Sequence, residues 1–307
     1  MNTIDAFNGD ADGICSLHQL RLAQPRENIL VTGVKRDIEL VKRIPAEARD
    51  EVTVLDVSLD KNRDALIPLL DAGAEVRYFD HHYAGEIPDH PTLEAHIDPS
   101  PNTCTGLIVN DWINRRHIAW AVVAAFGDNL LDIAREAAAP LGVDADRMEQ
   151  LEKLGMLMNY NGYGQKVEDL HFAPDDLYRR VQPYADPFDF IEHDSAFEQL
   201  ADGYADDHRR AEAIEARWLP ALERFKPEML FISAGFDAHV EDPLASLALV
   251  DADYAWISRK LMDIADRHAE GRIVSMLEGG YALSALGRAA ALHVRELMAL
   301  GDEEPSR

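Results

Sequence analysis

The stretch Phe7-Asn8-Gly9-Asp10-Ala11-Asp12-Gly13 decides how this chain is read. A short β-rich run, Thr3–Phe7, leads into it, and an amphipathic stretch begins at Ile14. Two carboxylates therefore stand two residues apart on a glycine-flanked turn between a strand and a helix. Further β-rich runs at 29–32, 52–56 and 76–79 alternate with helical patterns, which is the signature of an α/β fold with a doubly wound parallel sheet. In such sheets functional groups gather at the carboxyl ends of the strands. Asp10, Asp12, Asp56 and Asp80 each follow or close one of these runs, so carboxylates far apart in sequence are expected to converge on one rim.

An Asp-x-Asp-Gly alone is as readily an ordinary turn. The run Asp80-His81-His82 shifts the reading, because an Asp and two adjacent histidines at a strand end have little packing value. Neighbouring imidazoles point in different directions, so one can ligate a metal while the next contacts a substrate phosphate. Hard divalent ions such as Mn²⁺ and Mg²⁺ prefer oxygen ligands, and a shared carboxylate can hold two of them ~3.5–4 Å apart around a phosphoryl group. Asp56 is the candidate for that shared position.

Past residue 104 the apolar spacing turns helical, over 104–114, 119–126, 130–139 and 145–158, and predicts a helical layer closing the first domain. The segment from Asn159 through Gly164 is rich in turn formers, and Pro174, Pro183 and Pro187 punctuate the chain beyond it, so irregular connecting structure is expected there. The domain division is set at 1–205 and 206–301, with 302–307 a disordered tail. In the second part a charged helix is expected over 206–225, a buried strand over 229–233, then helix, strand and helix over 255–265, 273–277 and 282–300.

Lys+Arg is 30 against Asp+Glu 56, a formal charge of -26, which repels phosphate backbones and disfavours long nucleic acid as a partner. The two cysteines, Cys15 and Cys104, have neither disulfide-framework nor zinc-finger spacing, and a reducing cytoplasm suits them. No apolar run approaches the ~20 residues of a membrane span, and neither a secretory leader nor a membrane association is expected.

Residues 1–205 resemble the DHH phosphoesterase family, which includes pyrophosphatases, exonucleases and small-oligonucleotide hydrolases. Asp10 and Asp12 match its first motif, Asp56 the second, Asp80-His81-His82 the third and Asp128 the fourth. The resemblance implies two Mn²⁺ ions, Asp10 and Asp56 on one and Asp12, Asp56, His81 and Asp128 on the other, with His82 and Asn8 at the substrate. A metal-activated water would attack phosphorus. Asp56 and His82 are then the catalytic pair, and Arg36, Arg115 and above all Arg116 are candidates for phosphate contact. One departure is Ala6, where many family members carry a metal-ligating histidine; another is the family's usual substrate domain, which is not visible after residue 205.

The later run Ser233-Ala234-Gly235-Phe236-Asp237-Ala238-His239, with Glu278-Gly279-Gly280-Tyr281, makes residues 214–300 resemble the end of the histone deacetylase and acetylpolyamine amidohydrolase family. That implies a smaller α/β segment from an arginase/deacetylase-like fold. It assigns Asp237 to a zinc ligand set and Tyr281 to a carbonyl-polarising donor. The motifs for the remaining zinc ligands are missing, and catalytic zinc needs three protein ligands. The leading expectation is an Mn-dependent phosphoesterase, with Mg²⁺ as the alternative ion, acting on a small phosphorylated substrate or very short oligonucleotide. The other readings are a non-catalytic or vestigial fusion protein, and a zinc deacetylase acting on acetyl-lysine or acetylpolyamine. Strands cut from a larger sheet would leave open edges, so a homodimer through the C-terminal segment is a further expectation.

Overall fold

The computed structural model describes residues 2–45, 49–164, 166–242 and 249–298, and for 205–215 the backbone alone. The chain divides into two compact units, Met1–Tyr204 and Ala205–Arg307; the expected tail at 302–307 lies outside the described residues.

In the first unit β1 (Thr3–Phe7), β2 (Ile29–Val31), β3 (Glu51–Leu55), β4 (Glu75–Asp80) and β5 (Leu93–Ile97) form one sheet in the order β2-β1-β3-β4-β5. All four pairings are parallel. Side chains alternate across it, as a period of two requires. Ile4, Ala6, Val52, Val54, Val76 and Tyr78 go to one face with Leu59, Leu66 and Leu70 of α2 (Leu59–Asp71). Phe7, Leu55 and Phe79 go to the other, against α1 (Ala11–Ala23), α3 (Thr105–Trp112) and α4 (Ile118–Gly127). Helix α4 is buried from Trp120 to Gly127, which explains its almost unbroken apolar sequence, and α5 (Leu131–Ala138) and α6 (Ala145–Asn161) wrap around it. The chain leaves β1 toward β2 on one side and β3 lies on the other. The carboxyl ends of β1 and β3 therefore flank the point where the winding reverses, the place where such sheets open a crevice.

Three features differ from the sequence expectation. Strand β5 was not expected: Leu-Glu-Ala-His-Ile mixes charge with apolar residues, and only pairing with β4 and stacking of His96 on Phe79 at 4.8 Å make it a strand. Pro174 and Pro187 start helices rather than interrupting structure. They occupy the first turns of α7 (Pro174–Val181) and α8 (Pro187–His193), where a missing N–H costs nothing. Residues 159–161 complete α6, whose end is pinned by Asn161 exchanging hydrogen bonds with the backbone of Phe172 at 2.9 Å each way.

The helix expected over 206–225 begins earlier and has three parts: α9 (Ser195–Ala213), a π-helical stretch Ile214–Trp218 and α10 (Leu219–Phe225). In the second unit β6 (Leu230–Ala234) and β7 (Ile273–Leu277) pair in parallel, accompanied by α11 (Asp251–His268) and α12 (Leu283–Leu297). The sheet's inner face supplies Leu230, Ala234 and Ile273 to two small cores with Ile264, Ala265, Phe236, Tyr254 and Ala289. Its other face carries Phe231, Val274 and Met276, exposed by 64%, 37% and 48%. No described helix is long and apolar enough to cross a membrane.

The difference in burial sets the cost of substitution. Leu17→Ala, in the fully buried core of the first unit, is expected to lower stability by about 2–5 kcal/mol. Phe231→Ser, on the bare sheet face, should stay within about 0.5 kcal/mol. Urea unfolding of the two variants checks this, and equal losses would contradict it.

Candidate metal centre

The turn after β1 places its two carboxylates differently. Asp10 caps α1: its Oδ1 accepts from the Gly13 N–H at 3.0 Å, leaving Oδ2 to an ion pair with Lys35 Nζ at 2.8 Å. Asp12, two residues on in the first turn of α1, is fully buried and receives the amino end of α3: the Thr105 N–H donates to Oδ2 at 2.8 Å and the Gly106 N–H to Oδ1 at 2.7 Å. A helix N-terminus favours a carboxylate held in its charged form. Gly106 is required for the approach, since a Cβ there would come within 2.5 Å of the Ala124 methyl and 3.1 Å of Asp12 Oδ1.

Asp56 stands one residue beyond β3 with φ +59°, a left-handed conformation that a non-glycine residue keeps only where its surroundings enforce it. Its N–H donates to the Phe79 carbonyl at 3.0 Å and its Oδ1 accepts from the Thr105 hydroxyl at 3.1 Å. Asp80, closing β4, is the organiser of the two histidines: its Oδ1 accepts from the His81 N–H at 2.9 Å and lies 2.7 Å from His82 Nδ1. His81 Nε2 consequently reaches into the carboxylates, 3.2 Å from Asp128, 3.4 Å from Asp56 and 3.9 Å from Asp12. Asp128 comes from the end of α4, seated because its N–H continues the helix to the Ala124 carbonyl at 3.0 Å.

Electrostatics make this cluster uncomfortable without a cation. Burial pushes the Asp56 carboxyl well above the usual range, and the charges of Asp12, Asp10, Asp128 and Asp80 push it further. Asp128 is pushed up to about 6 by burial and by Asp12, against the pull of Lys35 and His81. Burial also acts upward on Asp10, but the charge and hydrogen bond of Lys35, with hydrogen bonds from Gly13 and Asp56, together hold that carboxyl below its ordinary value. Lys35 itself stays charged, because Asp10, Tyr163 and Asp128 more than offset its burial. For His82 burial acts downward, and the hydrogen bond and charge of Asp80 raise its pKa in net. Two groups of donors lie close enough to share an ion, Asp12-His81-Asp128 and Asp56-His81-His82. Oxygen donors with an imidazole, crowded by like charge, fit a divalent cation.

Asp10, Asp12, Asp56, His81, His82 and Asp128 are thus brought together. Arg116 is not. Its Nε donates to the Ile113 carbonyl at 3.0 Å, just past the carboxyl end of α3, about one 12 Å helix length from the end that touches Asp12. Arg115 pairs with Asp111 at 2.7 Å. Asn8 is buried, and its Nδ2 donates to the Lys35 carbonyl at 3.1 Å, a positioning contact. Sequence reasoning missed Lys35, Thr105 and Asn159. Lys35 follows β2, so the rule that placed the aspartates at strand ends could have found it; Asn159 was hidden in a stretch read as a turn.

In the second unit Asp237 lies against Gly279, where a Cβ would come within 2.4 Å of its Oδ2. Asp242 Oδ2 accepts from the N–H groups of Tyr281 and Ala282 at 2.6 and 3.1 Å, and the Tyr281 side chain is exposed. Among the described residues no group of three metal-capable donors forms around Asp237.

The raised carboxyls carry a pH signature. In metal-free protein the folded state keeps protons on Asp128 and Asp56 that the unfolded chain releases near the ordinary value. Their contribution to stability is therefore greatest below about pH 4 and falls as pH rises toward 6. In EDTA, Asp128→Asn should flatten the fall in Tm between about pH 4 and 6 relative to the parent; parallel curves would contradict the burial and repulsion described.

Comparisons with known proteins divide along the chain. A family model described as the histone deacetylase domain matches residues 193–297. The chain is 49% identical over 76 residues to type-2 histone deacetylase 1 of Dictyostelium discoideum, covering 25% of this chain and 5% of that protein. It is 40% identical over 91 residues to a probable deacetylase of Archaeoglobus fulgidus, covering 28% of this chain and 25% of that one. The chain thus spans a quarter or less of either relative. In fold it is similar to the solved DHH domain of a member of the s1p family of ribosomal proteins, with a TM-score of 0.52 and 14% identity over 91% of this chain and 72% of that one. The protein is an α/β chain with a DHH-like fold, joined to a C-terminal segment that resembles the histone deacetylase domain.

Proposed function

We propose that the chain is a divalent-metal-dependent phosphoesterase acting on a small phosphorylated substrate or a very short oligonucleotide. The observation that carries this reading is the convergence of Asp12, Asp56, His81 and Asp128 from four separate elements on the crevice where the sheet's winding reverses. These four residues would hold the metal, and the resemblance of the motifs to DHH phosphoesterases favours Mn²⁺, with Mg²⁺ as the alternative. A bound divalent ion supplies Lewis-acid polarisation of a phosphoryl oxygen and a lowered pKa for water.

The protein's own groups do the rest. Asp80 holds the Nδ1 proton of His82, so Nε2 of the half-exposed ring is the atom offered to a substrate oxygen. Lys35 adds a fixed positive charge to an otherwise acidic rim. The net charge of -26 supports a short substrate over a long strand, because every phosphate outside the crevice is repelled. Two buried free thiols, Cys15 and Cys104, suit a reducing compartment such as the cytoplasm.

The match over 193–297 favours a second reading, a zinc amidohydrolase acting on acetyl-lysine or an acetylated polyamine. Against it, the described residues around Asp237 form no group of three donors close enough to share an ion, where catalytic zinc needs three ligands.

Hydrolysis of a bis-phenyl phosphate ester with and without Mn²⁺ tests the first reading, and release of acetate from an acetyl-lysine peptide with Zn²⁺ tests the second. Asp56→Asn should lower Mn²⁺-dependent phosphoesterase turnover by about 100-fold or more, since even residues that only orient metal ligands cost 10–100-fold. Tyr281→Phe should leave it unchanged. Equal loss in both variants, or no turnover in the parent, overturns the assignment; acetate release alone transfers it to the second unit.

A further inference from the structure

Asp10 shares the crevice with the other acids, and Asp56 hydrogen-bonds its side chain, but it is the one paired most closely with a lysine. Among the described residues both groups of donors close enough to share an ion pass through His81, and Asp10 belongs to neither. Its free oxygen is given instead to Lys35, whose Nζ lies 2.8 Å from Asp10 Oδ2, 2.8 Å from Asn159 Oδ1 and 3.8 Å from Asp128 Oδ1. An ammonium thus sits between two carboxylates of the cluster, in the position a cation would take.

Lys35 is held there by its surroundings on three sides. Its N–H donates to the Gly162 carbonyl at 2.8 Å, at the carboxyl end of α6, where a helix favours positive charge. Its carbonyl accepts from Asn8 Nδ2 at 3.1 Å. Its ammonium lies 5.3 Å from the centre of the Tyr163 ring. Gly162 allows the α6 end to press on the site, since a Cβ there would come within 3.1 Å of the Asp10 Cβ. Strand β1 offers no replacement donor below Asp10: Ala6 is fully buried in the apolar core with Ile4 and Val54.

We propose that Lys35 is the resident cation of this centre: its ammonium takes the place of a second divalent ion at Asp10, so the chain holds one ion, on Asp12, Asp56, His81 and Asp128. Two of the three ammonium N–H groups are directed to Asp10 and Asn159. The third, on the side of Asp128, would serve a phosphoryl oxygen held beside the ion, so that one metal and one lysine would divide the work that two metals would share. This inference rests on the metal-dependent reading above.

The test is a count of ions, with a spectrum that distinguishes one from two. The full chain, stripped with EDTA and dialysed against Mn²⁺, is analysed by mass spectrometry for metal per chain and by electron paramagnetic resonance. About one Mn²⁺ per chain with an isolated six-line signal is the expected result. Two ions with an exchange-coupled signal would overturn the role of Lys35 and leave the metal-dependent reading standing; none would overturn both. In Lys35→Met, with unchanged circular dichroism, the released Asp10 should admit a second ion and the coupled signal should appear. A count that stays at one in that variant also overturns the proposal, and the parent's count decides it if the variant does not fold.

Discussion

Four buried or nearly buried carboxylates, Asp10, Asp12, Asp56 and Asp128, share one crevice, and the rest of the first unit is arranged around their mutual repulsion. Buried charge of one sign is costly unless it is paired or hydrogen-bonded. Each acid is answered in a different way. Asp12 takes two N–H groups at the amino end of α3, Asp10 takes the cap of α1 and an ammonium, and Asp56 takes a hydroxyl in a left-handed turn. Asp128 faces His81, and the Asp80 carboxylate fixes the backbone and ring around that histidine pair. The second unit contains no comparable concentration of donors among its described residues.

The same constraint explains why glycines and helix ends crowd this region. Gly106 lets α3 point its N-terminus at Asp12, and Gly162 lets the end of α6 close over Asp10 and Lys35. Helix termini are the fold's fixed partial charges, so an amino end meets an acid and a carboxyl end meets a lysine. The parallel sheet makes both meetings feasible, because every strand delivers its following loop to the same edge.

The two units also differ in how complete their packing is. The first has helices on both faces of a five-stranded sheet. The second packs helices on one face of two parallel strands and leaves Phe231, Val274 and Met276 exposed, although parallel sheets are ordinarily covered on both sides.

The sequence by itself determined the alternation of strand and helix in the first unit, the acids at the ends of β1, β3 and β4, and the two family resemblances. Those signals are local: period-two burial, glycine-flanked turns, and Asp80-His81-His82 with no packing use. Tertiary structure alone decided that β5 is a strand and that Pro174 and Pro187 begin helices, since each depends on what the segment packs against. It also decided that Arg116 sits at the far end of α3, and that Lys35, 25 residues along from Asp10, supplies the positive charge beside it. Partnership between residues so far apart is set by strand order and helix ends, which no short stretch of sequence contains.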